Sequence, residues 1–152
     1  MKRFVVLAGL VMFYLSAVKA QSADKIYDSA LAKKLKADDY GMKTYVLVLL
    51  KSGRNTSPGK ALSDSLFAGH MKNMKRLAAI EKLVVAGPFV KNEKYRGLFI
   101  LDAAGFEEAK KLLETDPAIQ GNLLEPELYL WYGSAALQAT FELHHKIQKL
   151  EF

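Results

Sequence analysis

The chain has 152 residues, a formal net charge of +6 and no cysteine. The absence of cysteine excludes a disulfide-stapled scaffold, a thiol nucleophile, a cysteine-based zinc site and a lipid attached at cysteine. Hydrophobic residues make up 51% of the chain, which is enough for one ordinary globular core.

The first twenty residues have the three parts of a secretory signal peptide. Lys2 and Arg3 give a basic start, residues 4–17 form an apolar run, and residues 18–20 read VKA, a small-x-small ending. The apolar run is shorter than the roughly 20 residues that span a bilayer. We therefore predict that residues 1–20 are a signal peptide, cleaved after its last residue, and that the protein is exported, to the periplasm. A retained membrane anchor is the alternative interpretation.

Loss of residues 1–20 changes the charge of the protein. Three basic residues and no acidic one are removed, so the net charge becomes 6 − 3 = +3. This value suits a soluble protein and differs from the concentrated basic face of a nucleic-acid binder. We therefore expect no nucleic-acid partner and no stable membrane insertion after cleavage.

Residues 21–42 are predicted to form an N-terminal arm or linker. They are mostly polar, but Tyr27, Leu31 and Leu35 recur at a spacing of four residues. This spacing is typical of a short helix lying on a domain, which would end near Gly41. A flexible tether is the alternative.

Residues 43–133 contain alternating signals for strands and helices. Apolar and β-branched runs predict strands, and apolar residues at a spacing of three to four predict helices. The predicted elements are a strand at 44–50, a helix at 62–80, strands at 83–89 and 95–103, a helix at 105–117 and a strand at 123–133. The β-α-β-β-α-β order is that of the ferredoxin-like α+β fold with an antiparallel sheet. Residues 134–152 are predicted to form a C-terminal helical extension.

The first predicted strand is apolar on both faces. Tyr45, Leu47 and Leu49 alternate with three further apolar residues, whereas a sheet with helices on one side normally has polar residues on the other. Something must therefore cover the second face. We predict a homodimer, because most oligomers are symmetric assemblies of one chain. Folding back of residues 134–152 is the alternative.

The chain resembles the YCII-related (YciI-like) family over residues 43–133. The matching stretches are, in order, YVLVLL, the helix that carries His70 and Leu77, LVVAGPF, RGLFIL, EEAKKLLETDP and ELYLWYG. The resemblance implies a ferredoxin-like domain that pairs into a dimeric α+β barrel. Some members of the family resemble small enzymes, including a dehydrochlorinase of chlorinated hydroxyquinols. The family histidine on the first helix is a proposed acid–base residue, and His70 occupies its position.

His70 also draws attention without the resemblance. It lies on the apolar stripe of its helix together with Leu66, Met74 and Leu77. Its ordinary pKa near 6.5 makes histidine well suited to move protons at neutral pH. A general acid/base needs an orienting partner, and Asp102 and Asp116 are the candidate partners. The alternative is a core histidine that donates one hydrogen bond to a backbone carbonyl.

Three further residues are candidates for ligand binding. Tyr45 and Trp131 would form an aromatic wall between subunits, and Arg96 would pair with an acidic group of a ligand. Interface core is the alternative for the two aromatic residues, and an ordinary surface position is the alternative for Arg96.

We predict no metal site and no cofactor. His144 and His145 are adjacent, so their side chains point about 100° apart on a helix and do not easily share one ion. The prediction is therefore an exported, cofactor-free YciI-like protein, a small lyase- or isomerase-type enzyme that uses His70 on a small organic substrate. The alternative is a non-catalytic homodimeric module that binds a small ligand or another protein.

Overall fold

Alternating apolar side chains build four strands, which pair into one antiparallel sheet in the computed structural model. The strands are β1 (Met42–Ser52), β2 (Leu83–Pro88), β3 (Tyr95–Leu101) and β4 (Leu124–Ser134). They are ordered β2-β3-β1-β4, and each neighbouring pair is antiparallel. The structure describes residues 27–150. The predicted signal peptide, with its cleavage site, lies outside the described residues.

The helices complete the predicted β-α-β-β-α-β order. They are α1 (Ser29–Lys34), α2 (Lys60–Ala79), α3 (Phe106–Leu113), α4 (Pro117–Gln120) and α5 (Thr140–Ile147). Helix α2 connects β1 to β2, and α3 and α4 connect β3 to β4. The ferredoxin-like α+β fold is therefore confirmed. Within residues 27–150, no helix combines the length and the apolar character that crossing a membrane requires.

The two faces of the sheet carry different apolar clusters. Val46, Val48 and Leu50 of β1 are buried beneath the helices together with Phe99 of β3. Burying such side chains contributes about 1.5–3 kcal/mol each to stability. The opposite face, which we call the open face, holds a smaller cluster centred on Tyr45. Side chains that alternate along a strand point to opposite faces, as the sequence predicted for β1.

The C-terminal extension covers one end of the open face. It is not one helix, because a 3-10 turn (Ala135–Ala139) precedes α5. Leu137 of this turn packs against the cluster around Tyr45, and α5 lies against the edge strand β2. Tyr129 of β4, which also points to the open face, is 47% exposed. The extension thus folds back, as one alternative predicted, but covers only part of this face.

The arm contains the short helix α1, which buries none of its residues. The C-terminal end of the arm is attached to the sheet through Asp38. The carboxylate of Asp38 accepts hydrogen bonds from the backbone N–H of Met42 and from the hydroxyl of Tyr132. Gly41 between them has a φ of +74°, a left-handed conformation that favours glycine. The arm therefore combines an exposed helix with an anchored turn.

Candidate functional site

His70 lies on the buried side of α2, between the helix and the sheet. The buried residues His70, Asn73 and Leu77 follow one another at the spacing of one helix face. The imidazole stacks on Phe99 of β3, with ring centroids 5.8 Å apart and planes at 19°. Phe67, one turn earlier, meets it edge-on at 6.1 Å. The two aromatic rings fix the orientation of His70, which is 8% exposed.

Asp116 is the polar partner of His70. Its Oδ2 lies 2.7 Å from His70 Nδ1, and the residue is 1% exposed. The other oxygen, Oδ1, accepts a hydrogen bond from the backbone N–H of Ala118 and so caps α4. An ionised carboxylate only accepts hydrogen bonds, so it holds the histidine proton on Nδ1. The lone pair of the neutral ring is then on Nε2.

Close packing of α4 against α2 brings this pair together. Gly69 directly precedes His70, and a Cβ at this position would lie 2.7 Å from Cγ of Pro117. A Cβ at Gly121 would lie 2.5 Å from a methyl group of Leu66. Glycine at each position therefore permits an approach that a larger residue would obstruct. This approach places Asp116, the residue before Pro117, beside His70.

The second nitrogen of His70 remains available for chemistry. Within residues 27–150, the structure gives Nε2 no hydrogen-bond partner. Among the described residues, Asn73 Nδ2 is the one fully buried side-chain nitrogen or oxygen that lacks a hydrogen-bond partner. Because Nε2 of His70 also lacks a partner but is not such an atom, it is not fully buried and retains contact with the surface. A ring held by a carboxylate at one nitrogen and open at the other is the arrangement that general acid–base chemistry requires.

A second polar cluster flanks the pair and was not predicted from the sequence. The amide oxygen of Asn73 accepts hydrogen bonds from the guanidinium of Arg76 and from the hydroxyl of Thr115. Arg76 also donates to the Thr115 hydroxyl at 2.7 Å. These hydrogen bonds connect Thr115, the residue before Asp116, to α2 at a point one helical turn beyond His70. An Asn and an Arg three residues apart on a helix are its sole sequence signal.

Asp102, the other predicted partner, does not contact His70. Asp102 directly follows β3, where the even-numbered residues point to the open face. Phe99 and His70, by contrast, lie on the helix side of the sheet. The carboxylate of Asp102 instead accepts hydrogen bonds from Lys43 Nζ at 2.8 Å and from Gln138 Nε2 at 2.9 Å. As a partner of His70, Asp102 was therefore a wrong prediction.

The three predicted ligand-binding residues do not join this site. Tyr45 is fully buried on the open face, where its ring meets Trp131 at a centroid distance of 6.0 Å and its hydroxyl donates to the Ser134 carbonyl. Burial, followed by the charge of Asp102, raises the pKa of the Tyr45 hydroxyl above its usual value. Arg96 is exposed beside Gly97, which pairs with Leu50 at the other end of β1. The sheet thus separates both aromatic residues from His70.

The remaining histidines lie elsewhere. His144 and His145 are on α5, at the edge of the sheet. No group of three or more potential metal ligands gathers among the residues that the structure describes.

Comparisons with known proteins give a weak structural likeness. No protein-family profile matches the chain, and no curated protein does. The chain is similar to a solved structure of 5-chloro-2-hydroxyhydroquinone dehydrochlorinase from Burkholderia phenoliruptrix AC1100 in complex with 2,5-dihydroxybenzoquinone. The two are 19% identical, with a TM-score of 0.42, over 57% of this chain and 92% of the other. This likeness is too low to bear on the activity of the protein.

Proposed function

We propose that the protein is an exported YciI-like enzyme of the lyase or isomerase type, which uses His70 as a general acid/base without a cofactor. The observation that carries this proposal is the 2.7 Å contact between the Nδ1 of His70 and the buried carboxylate of Asp116. The alternative prediction, a core histidine, needs only a neutral acceptor such as a backbone carbonyl at this nitrogen. A buried carboxylate in that place adds a negative charge that stabilises the protonated ring.

The chemistry follows from the two nitrogens of the ring. Nε2 accepts a proton from a carbon or oxygen of the substrate, and the resulting imidazolium is stabilised by Asp116 at Nδ1. In an isomerisation the proton returns to a different atom of the same molecule. In an elimination the electron pair left behind forms a double bond as a leaving group departs with its own pair. Phe67 and Phe99 hold the ring plane, so a planar organic substrate is favoured beside it.

Proton exchange with solvent tests the proposal before any substrate is known. A general base that removes a proton from carbon lets deuterium enter from D2O, and NMR detects the exchange in a panel of small carbonyl and phenolic acids. We expect at least one compound to exchange faster with wild-type protein than with the folded variant His70→Gln. Equal exchange rates for every compound would contradict an enzyme of this type.

The reactivity of Nε2 provides a test that needs no substrate. Diethyl pyrocarbonate modifies neutral imidazole nitrogens that reagents can reach. In a His144→Gln/His145→Gln background, we expect mass spectrometry to find the modification on His70 of the folded protein. An unmodified His70 would assign the residue to the core and favour the second candidate function.

The second candidate is a non-catalytic homodimeric module that binds a small ligand or another protein. The observation that favours it is the uncovered part of the open face, which is apolar around Leu47, Leu98 and Tyr129. Apolar surface of this kind marks interaction sites in soluble proteins. A stable dimer with an unreactive His70 would support the module, whereas a dimer with a reactive His70 is compatible with an enzyme.

A further inference from the structure

We infer that Arg76 binds a carboxylate group of the substrate, so that the molecule on which His70 acts is a small organic acid. The inference rests on the proposed function and names the class of its substrate. Arg76 is exposed in the last turn of α2, six residues after His70. It takes the role that the sequence predicted for Arg96, which lies outside the site.

The guanidinium of Arg76 is held in one orientation although the residue is exposed. Its Nε and Nη2 donate to the amide oxygen of Asn73 at 3.1 and 2.9 Å, and Nη2 also donates to the Thr115 hydroxyl at 2.7 Å. Within the described residues, Nη1 has no hydrogen-bond partner and no carboxylate pairs with Arg76. An arginine that is fixed beforehand loses less rotamer freedom when it binds a ligand. The charge and the two N–H groups of Nη1 therefore remain for an anion.

The segment between α3 and α4 brings Arg76 close to His70. Nη2 of Arg76 donates to Thr115, and the next residue, Asp116, contacts Nδ1 of His70. Arg76 also reaches back along α2 to Asn73, which lies three residues, or roughly 5 Å of helix axis, beyond His70. The cation thus lies within the length of a small molecule from the base. We expect an acid whose carboxylate is a few bonds from the proton that His70 removes.

Asn73 holds Arg76 at a cost in stability. The asparagine is 6% exposed, and its Nδ2 has no partner among the described residues. A buried donor without a partner destabilises the fold. The oxygen of Asn73 is bonded to two exposed residues, whose polar groups water would also satisfy. An apolar residue would suit this buried face of α2, so we assign Asn73 as the positioning residue of Arg76.

Titration of the full chain with two acids and their amides tests the inference. Acetate and benzoate are compared with acetamide and benzamide, which have similar shapes but no charge, and proton–nitrogen NMR follows the Nε–H signals of the arginines. We expect the acids to bind at Arg76 about tenfold more tightly than the amides, because charge-assisted hydrogen bonds are the stronger kind. Arg54 and Arg96 are exposed internal controls. Equal shifts of all three arginines, or no shift of Arg76, would overturn the inference.

Two variants separate binding from folding. We expect Arg76→Gln to weaken binding of the acid about tenfold, because it removes the charge, and Arg96→Gln to leave it unchanged. Asn73→Leu keeps Arg76 but releases its guanidinium, so we expect weaker binding in a protein that urea denaturation finds no less stable. Wild-type affinity in folded Arg76→Gln would overturn the inference. Wild-type affinity in a destabilised Asn73→Leu variant would make Asn73 purely structural and overturn its positioning role.

The deuterium-exchange assay distinguishes failure of this inference from failure of the proposed function. Among compounds that depend on His70 for exchange, we expect carboxylic acids, and we expect Arg76→Gln to raise KM more than it lowers kcat, because it removes binding shared by substrate and transition state. Equal KM in wild type and Arg76→Gln would overturn the inference and leave the proposed function in place. Binding of acids at Arg76 without any exchange would contradict the enzyme but support Arg76 as a carboxylate site.

Discussion

At the scale of single residues, the proposed function depends on which nitrogen of His70 carries the proton. Asp116 accepts from Nδ1 with one oxygen and caps α4 with the other, so under the proposed function the residue has both a chemical and a structural role. The two roles are separable. Asparagine retains a side-chain oxygen that caps a helix but offers an N–H where the carboxylate offered an acceptor.

We predict that Asp116→Asn leaves the fold intact and reverses the tautomer of His70. The new amide donates to Nδ1, which moves the ring hydrogen to Nε2 and removes the base. Long-range proton–nitrogen NMR reports the tautomer directly, and any activity found should fall by about 10²–10⁴-fold, the usual contribution of a general acid/base.

The control is Asp28→Asn, which makes the same change at the cap of α1 and leaves the His70 signals unchanged. A hydrogen already on Nε2 in the wild-type protein would contradict the assignment. So would an unchanged tautomer in the folded Asp116→Asn variant.

At the scale of elements, the pair depends on how closely α4 approaches α2. We predict that Gly69→Ala destabilises the protein by about 1–3 kcal/mol, because the added methyl group meets the rigid ring of Pro117. Alanine in a helix would otherwise stabilise by about 1 kcal/mol over glycine. The His70 NMR signals should shift as α4 moves away.

Chemical denaturation measures this change, and Gly59→Ala is the control because a Cβ at that position meets nothing within 4 Å. A gain in stability for Gly69→Ala would show that α4 adjusts easily, and that the close approach of the two helices does not depend on glycine at this position.

A second link between elements is the ion pair of Lys43 and Asp102, which joins β1 to β3 beside the C-terminal extension. Burial raises the pKa of the Asp102 carboxyl, but hydrogen bonds from Lys43 and Gln138 outweigh this effect and hold the pKa below its usual 3.8. The unfolded chain therefore binds the proton more readily. The stability contributed by Asp102 is present above about pH 4 and is lost as the pH falls through the lowered folded pKa.

We predict that Asp102→Asn lowers the free energy of unfolding at pH 7 by about 1–3 kcal/mol, because Lys43 loses its partner in a nearly buried position. The difference from wild type should shrink below pH 4. Urea denaturation across this range tests it against Asp64→Asn, which removes an exposed ion pair with Lys60. A difference that stays constant down to pH 2 would contradict the lowered pKa.

The sequence predicted the elements better than the contacts between them. Apolar and β-branched runs identified the strands, and the apolar stripe of α2 placed His70 on its buried face. Its partner is 46 residues away, and Asp116 before a proline has the signature of an ordinary turn residue. Helix α4 has four residues and no periodicity, so the approach that unites the pair leaves no pattern in the sequence. The Asn73 cluster escaped prediction for the same reason.

At the scale of the whole molecule, the open face is the apolar surface that the fold leaves partly uncovered. The extension covers the end near Tyr45, where Leu137 packs. Leu47, Leu98 and Tyr129 lie beyond it, and the salt bridges of Lys51 with Glu125 and Glu127 border them. An apolar patch with a charged rim is the composition of a protein interface. Because symmetric pairing places the same patch opposite itself, a second copy is the simplest cover.

We predict that the wild-type protein is a dimer at micromolar concentration and that Leu98→Lys converts it to a folded monomer, because two buried ammonium groups would then face each other across the interface. Leu130→Lys is the control, since Leu130 is the same residue type and is 59% exposed, but it pairs with Val46, on the helix side of the sheet. Sedimentation velocity separates the two masses. A monomeric wild-type protein, or a Leu98→Lys variant that stays dimeric, would show that two copies do not pair through the open face. Another ligand or partner would then be needed to cover its partly exposed leucines.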